Sequence, residues 1–78
     1  MNFDDELKEL IANALECEKD SILSESGLGK HYKWDSLGHV AIMVALEEKY
    51  GIEVDESNIN NLLTFVSIKD FIFKYVNK

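Results

Sequence analysis

The fold of this 78-residue chain is decided by the segment SLGHVAIMVALEEKY, residues 36–50. Its apolar residues recur at helical spacing and no proline interrupts it. Asp35, directly before the segment, is a good helix N-cap. Gly51, directly after it, suits the left-handed residue that ends many helices. The segment therefore predicts a helix from about Ser36 to Tyr50.

Working outward, the same spacing predicts further helices on both sides of this segment. Residues 3–16 carry an apolar stripe behind an acidic first turn, which the helix dipole favours. A last helix is predicted to begin directly after Ser67, with Ser67 and Asp70 as the N-cap and N3 residues of a capping box. A short helix is predicted to start at residues 55–58 and to end near Leu63. No segment alternates as a strand does.

Residues 18–34 lose the helical period and are rich in serine and glycine, so they predict a long loop with a helical turn near Ile22. The expected fold is all-α: a small four-helix bundle with three main helices, one short helix and a long first loop, in a single domain over residues 1–78. The expected core is formed by apolar residues of each helix: Phe3, Leu7, Ile42, Leu46, Ile59, Phe71 and Ile72.

Composition limits the classes of partner. Eight lysines, no arginine and fifteen acidic residues give a net charge of −7, which argues against nucleic acid and favours partners with basic docking surfaces. The only cysteine, Cys17, cannot form an internal disulfide and is interpreted as a packing residue. The first residues are acidic where a secretory signal is basic, and no apolar run could span a bilayer. We expect a cytoplasmic protein without a membrane span.

The candidate site is the start of the central helix. A helix start leaves four backbone N–H groups without intrahelical partners and carries partial positive charge, so a phosphate esterified to Ser36 would be stabilised there. The alternative is that Asp35 or Ser36 only caps the helix, as serine and aspartate do in many proteins.

The central helix also carries more apolar residues than a surface helix needs. Its core stripe is Ile42, Met43, Leu46 and Tyr50, and a second stripe is displaced around the helix. This second stripe is either exposed for a partner or packed against the long loop. Its residues are Leu37, Val40, Ala41 and Val44.

No set of catalytic or metal-ligating residues is found by inspection. His31 and His39 lack a cysteine or carboxylate at metal-ligand spacing, so they are interpreted as ordinary loop and helix-surface histidines and no metal site is predicted. Without a candidate nucleophile, base or oxyanion hole, the chain is not predicted to be an enzyme.

Three segments resemble the acyl carrier protein family over nearly the whole chain: residues 35–37 (DSL), 46–52 (LEEKYGI) and 67–76. The resemblance implies that Ser36, flanked by Asp35 and Leu37, receives 4′-phosphopantetheine from coenzyme A through a separate Mg²⁺-dependent transferase. The thiol of that arm would hold an acyl group as a thioester and present it to partner enzymes. This function needs no catalytic residues of the chain's own.

The sequence also departs from the family pattern. In fatty-acid-synthase carriers the positions aligned with Gly38 and Ala41 are usually acidic, and a small residue is common where Trp34 stands. Gly38 is a poor helix residue, which close approach by a partner or by the arm would explain. The chain therefore looks more like carriers of specialised pathways, such as polyketide synthesis.

The resemblance implies docking that is partly apolar, through Leu37, Val40 and Val44. The partners implied are a phosphopantetheinyl transferase and acyl- or aminoacyl-loading and acyl-using enzymes with basic and apolar surfaces, and the chain is expected to be a monomer. An acidic rim is expected to complete the docking surface: Glu47, Glu48, Glu53, Asp55 and Glu56.

Two alternatives stay open beside a carrier for fatty-acid-like, polyketide or other specialised biosynthesis. The cargo could be an aminoacyl group, as in D-alanyl or peptidyl carriers. The chain could also be an unmodified acidic helical module that only bridges basic partners.

Overall fold

A computed structural model of the chain describes residues 3–55 and 59–76, with only the backbone of Asn60. Three α-helices carry the fold: α1 (Phe3–Leu15), α2 (Ser36–Tyr50) and α3 (Phe65–Val76). Two 3₁₀ turns lie between them, at Lys19–Ser21 and Ile59–Asn61. The all-α fold class is confirmed. The predicted short helix is represented by the second 3₁₀ turn, and its proposed start at residues 56–58 lies outside the described residues.

The core forms where the apolar faces of the three helices meet. Leu7, Ile11, Ile42, Leu46 and Ile72 are fully buried, as the helical spacing predicts for such stripes. Of the other residues expected in the core, Phe3 and Phe71 are only partly buried and pack at its edge; Ile59 is half-buried. Burying an aliphatic side chain contributes about 1.5–3 kcal/mol, so these contacts dominate the stability of the bundle.

The long loop is held to the rest of the protein near its start and at its middle. Its 3₁₀ turn comes earlier than predicted, at residues 19–21, because Ile22 then leaves the turn and enters the core. Near its middle the loop meets the start of α3 in an isolated antiparallel bridge between Gly27 and Thr64. Two backbone hydrogen bonds flank this bridge, from Leu28 N–H to the Leu63 carbonyl and from Phe65 N–H to the Ser26 carbonyl, both 2.8 Å.

The predicted start of α3 is wrong by three residues. The helix begins at Phe65, so Ser67 lies inside it and Thr64 precedes it. Ser67 N–H donates to Thr64 Oγ1 and Thr64 N–H donates to Ser67 Oγ, each at 3.1 Å, which is a reciprocal capping arrangement. Asp70 instead pairs with Lys74 one turn later, at 3.2 Å.

The acidic first turn of α1 ties the other two helices to it. Lys49 Nζ of α2 lies 3.0 Å from a Glu6 carboxylate oxygen, and Lys69 Nζ of α3 lies 2.7 Å from an Asp4 oxygen. The Glu6 carboxylate raises the pKa of Lys49 by hydrogen bonding and by charge. Because these pairs are exposed to solvent, each contributes little to stability. No helix among the described residues is long and apolar enough to cross a membrane.

Candidate functional site

Ser36 is the first residue of α2, and its hydroxyl is accessible to solvent. Asp35 caps the helix as predicted: its Oδ1 accepts the N–H of Gly38 at 2.8 Å, and its carbonyl accepts the N–H of His39 at 2.8 Å. The side chain of Ser36 is exposed. Within residues 3–55 and 59–76 its hydroxyl has no hydrogen-bond partner, and Asp35 rather than Ser36 does the capping.

The helix start therefore fits an esterified phosphate. By the geometry of any helix, the N–H groups of Ser36 and Leu37 have no intrahelical acceptor, and the dipole places positive charge beside them. Ser36 lies where an added phosphate would remain in solvent while its charge meets that field. The other end of α2 closes as predicted, because Gly51 adopts a left-handed conformation (φ 68°) and its N–H donates to the Glu47 carbonyl.

Trp34 and His39 form a buried pair that brackets Ser36. Trp34 is fully buried and its Nε1–H donates to His39 Nδ1 at 3.0 Å. The two rings lie nearly parallel, 24° apart, with centroids separated by 6.2 Å. The interpretation of His39 as a surface histidine is thus wrong, since only 6% of it is exposed. A signal was present: a tryptophan one residue before a helix cap needs a buried polar partner for its N–H, and a histidine follows one turn into the helix.

Gly38 is required by the chain itself. A Cβ at this position would lie 2.6 Å from the Lys33 carbonyl oxygen and 2.6 Å from Leu15 Cδ2, at the end of α1. Such distances are far inside van der Waals contact. The close approach expected of a partner or of the arm is therefore already made by the loop and by α1.

The second apolar stripe of α2 is exposed, so it does not pack against the long loop. The exposed fractions are 84% for Leu37, 57% for Val40 and 46% for Val44, and Ala41 is half-buried beside them. The opposite face of α2 buries Ile42, Met43 and Leu46 in the core. Trp34, at the end of the long loop, belongs to the buried hydrophobic core.

The acidic residues of the expected rim have different surroundings. Glu48 is exposed, whereas Glu47 is half-buried and its Oε2 accepts the N–H of Val54 at 3.0 Å. Glu53 and Asp55 are exposed. Glu56 lies outside the described residues. Glu47 therefore holds the segment after α2 in place, and its carboxylate is already engaged on one side.

A serine and a histidine are in contact in the long loop, but their proton positions do not allow the histidine to act as a base. The N–H of Lys33 donates to His31 Nδ1 at 3.0 Å, so the ring proton lies on Nε2, which is 2.9 Å from Ser21 Oγ. The Ser21 hydroxyl in turn donates to the Glu18 carbonyl at 2.6 Å. His31 therefore donates to the serine and cannot remove its proton. Cys17 Sγ lies 3.5 Å from the same hydroxyl, and Cys17 packs against the core as predicted.

The buried His39 gives a testable pH dependence. Burial lowers the pKa of His39 below its ordinary value of 6.5, because the charged ring loses hydration. The unfolded chain then binds a proton more readily than the folded chain, so stability is present above pH ~6.5 and is lost as pH falls through the folded pKa. We expect urea melts to show that acidification from pH 7.5 to 5 weakens the wild-type chain more than His39→Gln. The titration of the carboxylates affects both chains equally and cancels in this comparison. A difference in the free energy of unfolding that does not change with pH would contradict the expectation.

Among the described residues, no group of three or more histidine, cysteine, aspartate and glutamate side chains is placed to hold a metal ion. Three features at the start of α2 bear on function. They are the exposed Ser36 hydroxyl, the helix cap formed by Asp35 and the exposed apolar stripe along the same helix.

Comparison with known proteins agrees with this geometry. The protein family described as "Phosphopantetheine attachment site" matches residues 5–72. An acyl carrier protein of Buchnera aphidicola is 36% identical over 75 residues, covering 96% of each chain. An acyl carrier protein of Clostridium perfringens is 31% identical over 74 residues, covering 95% of this chain and 97% of its own. The chain belongs to the acyl carrier protein family, whose cofactor is covalently attached 4′-phosphopantetheine.

Proposed function

We propose that Ser36 is the attachment residue and that the chain carries an acyl intermediate between partner enzymes. The observation that supports this most directly is the exposed Ser36 hydroxyl at the first position of a 15-residue helix, without a competing hydrogen bond among the described residues. When bound, the 4′-phosphopantetheine arm supplies a terminal thiol that holds the acyl group as a thioester.

The chain's own residues would hold the arm in three ways. In a step catalysed by a separate transferase, Ser36 Oγ would lose its proton and attack the pantetheine-side phosphorus of coenzyme A. The pyrophosphate bond would break, and adenosine 3′,5′-bisphosphate would leave. Asp35 fixes the helix start, so the oxygen is presented at a defined place. The partial positive charge of the helix start offsets the phosphate charge, by about 0.3–1 kcal/mol for an exposed group. The arm would raise the effective concentration of the cargo at each partner enzyme.

We further propose that partner enzymes dock on the exposed stripe of Leu37, Val40 and Val44. The stripe begins beside Ser36 and continues along α2, so an enzyme that covers it would also face the attachment site. The exposed Glu48 and the acidic residues after the helix would meet basic groups of the same partner. The partners proposed are a phosphopantetheinyl transferase and acyl-loading and acyl-using enzymes of fatty-acid-like, polyketide or other specialised biosynthesis.

Changing Val44 to aspartate should separate docking from folding. Because Val44 is exposed, we expect Val44→Asp to change the free energy of unfolding by less than ~1 kcal/mol. Loss of one central apolar contact should lower kcat/KM for transfer to a partner enzyme about tenfold, which corresponds to ~1.4 kcal/mol. Steady-state kinetics and thermal melts check the two parts.

The matched control for this variant is Val66→Asp. Val66 is 56% exposed on α3, so the same charge is added outside the proposed docking surface. Its kinetics should stay at the wild-type level. Equal loss of transfer in both variants would show that added negative charge, not the stripe, is responsible, and a large loss of stability in Val44→Asp would place Val44 in the core.

The proposed function is tested by intact-mass measurement after incubation of the unmodified chain with coenzyme A, Mg²⁺ and a broad-specificity transferase. One added phosphopantetheinyl group, mapped by peptide analysis to residue 36, is expected. No addition would favour an unmodified interaction module. Trapping of the loaded thioester from cells then distinguishes an acyl cargo from the aminoacyl cargo of D-alanyl or peptidyl carriers.

A further inference from the structure

We propose that Trp34 and His39 are positioning residues that hold Ser36 in register for attachment of the arm. This inference rests on the proposed function of Ser36. It assigns a role to the buried pair on either side of that serine.

Trp34 is fixed through its backbone as well as its side chain. Its N–H donates to the His31 carbonyl and its carbonyl accepts the N–H of Gly29, each at 3.0 Å. Its indole N–H donates to His39 Nδ1, also at 3.0 Å. The residue two positions before Ser36 is therefore held at three points.

The segment from Trp34 to His39, which includes Ser36, is closed into a ring by hydrogen bonds. The side chains of Trp34 and His39 join its two ends. Inside them, the Asp35 carboxylate accepts from Gly38 N–H, and the Asp35 carbonyl accepts from His39 N–H. Ser36 lies at the exposed turn of this ring, so its backbone cannot shift without breaking one of these bonds.

Stability alone does not account for the pair. Because Nδ1 accepts the indole proton, the proton of the neutral histidine lies on Nε2. That nitrogen is buried and has no hydrogen-bond partner in the part of the chain that the structure describes. A buried donor without a partner is unfavourable, and two apolar residues of similar shape would avoid it. What the polar pair adds is a directional link across the helix start.

The experiment measures kcat and KM for transfer of phosphopantetheine from coenzyme A to the full chain by a broad-specificity transferase. The double variant Trp34→Phe/His39→Leu removes both polar partners, but phenylalanine is smaller than the fully buried indole, so its melting temperature is compared with that of Trp34→Phe and should be no lower. Its kcat should fall about tenfold because the serine is no longer held in place. Its KM should stay within about twofold, since the stripe that would dock the transferase is untouched.

Two single variants show whether the link itself matters. His39→Gln offers a side-chain carbonyl to the indole N–H and should keep kcat within about threefold of the wild type. Trp34→Phe removes the N–H and leaves a smaller aromatic ring, and its kcat should fall further than that of His39→Gln. If the double variant does not fold, the order of kcat in the two single variants decides. A lower kcat in His39→Gln than in Trp34→Phe overturns the proposal.

A readout without the transferase is amide hydrogen exchange at Gly38, whose N–H donates to the Asp35 carboxylate. Exchange should speed up in Trp34→Phe and in the double variant and stay near the wild-type rate in His39→Gln. Unchanged exchange together with wild-type kcat in Trp34→Phe and in the double variant overturns the positioning role. If the wild-type chain itself is not modified, the proposed function fails instead, and the exchange rates still decide whether the pair holds Ser36.

Discussion

Ser36→Ala should abolish attachment of phosphopantetheine while leaving the fold and its stability unchanged. The substitution removes the oxygen that would form the phosphoester bond, so no modified chain should be detected by intact-mass measurement. Stability should change by less than ~0.5 kcal/mol, because the side chain is exposed and Asp35, not Ser36, caps the helix. Alanine is also a good residue in the first turn of a helix.

The matched control is Ser24→Ala, which removes an exposed hydroxyl from the long loop and should be modified at the wild-type rate. Circular dichroism and thermal melts of both variants check that the fold is kept. An added phosphopantetheinyl group that survives Ser36→Ala would place the attachment site elsewhere in the chain.

Gly38→Ala should lower stability, although alanine is the better helix former. The new Cβ would lie 2.6 Å from the Lys33 carbonyl oxygen, a backbone atom that is held by the hydrogen bonds of the neighbouring Trp34. Overpacking of this kind costs about 1–3 kcal/mol, and the gain in helix propensity returns only ~1 kcal/mol. A net loss near 1 kcal/mol corresponds to a melting temperature lower by roughly 4–8 °C in a domain of this size.

Two further variants make this prediction specific. Val40→Ala lies two residues along the same helix with its side chain exposed, so its melting temperature should be unchanged or slightly higher. Leu15→Val added to Gly38→Ala removes the clash with the Leu15 side chain but not the clash with the Lys33 carbonyl oxygen. It should therefore restore only part of the lost stability. A melting temperature of Gly38→Ala at or above the wild-type value would contradict the prediction.

Local patterns in the sequence were sufficient for the central helix. Asp35 and Gly51 mark both its ends because capping depends on residues that are adjacent in sequence. The same holds for the apolar stripe of α1, which ends one residue before the predicted boundary, where Glu16 turns into a left-handed conformation (φ 58°). Ser36 could be placed at the start of this helix for the same reason, and the structure shows that its side chain is exposed.

What the sequence could not give depends on contacts between distant parts of the chain. The clash at Gly38 involves Leu15 of α1, and no local pattern indicates that these residues meet. The cap of α3 was misplaced because Thr64 and Ser67 are both good N-cap residues, and propensity alone does not choose between them. The Trp34–His39 pair is local in sequence, but metal-ligand spacing does not indicate whether a histidine accepts an indole N–H.

The bridge between Gly27 and Thr64 has a consequence for the order of folding. Its two backbone bonds join residues from opposite halves of the chain, and closing such a long segment loses conformational entropy before the bonds form. Helices α1 and α2 can begin to pair where Leu15 meets Gly38, which are nearer in sequence than Gly27 and Thr64. The middle of the loop gains its bonds to residues 63 and 65 only when α3 forms. A nascent chain that ends before residue 65 would thus lack the partner that orders this loop, and a transferase would meet the finished site only on the complete bundle.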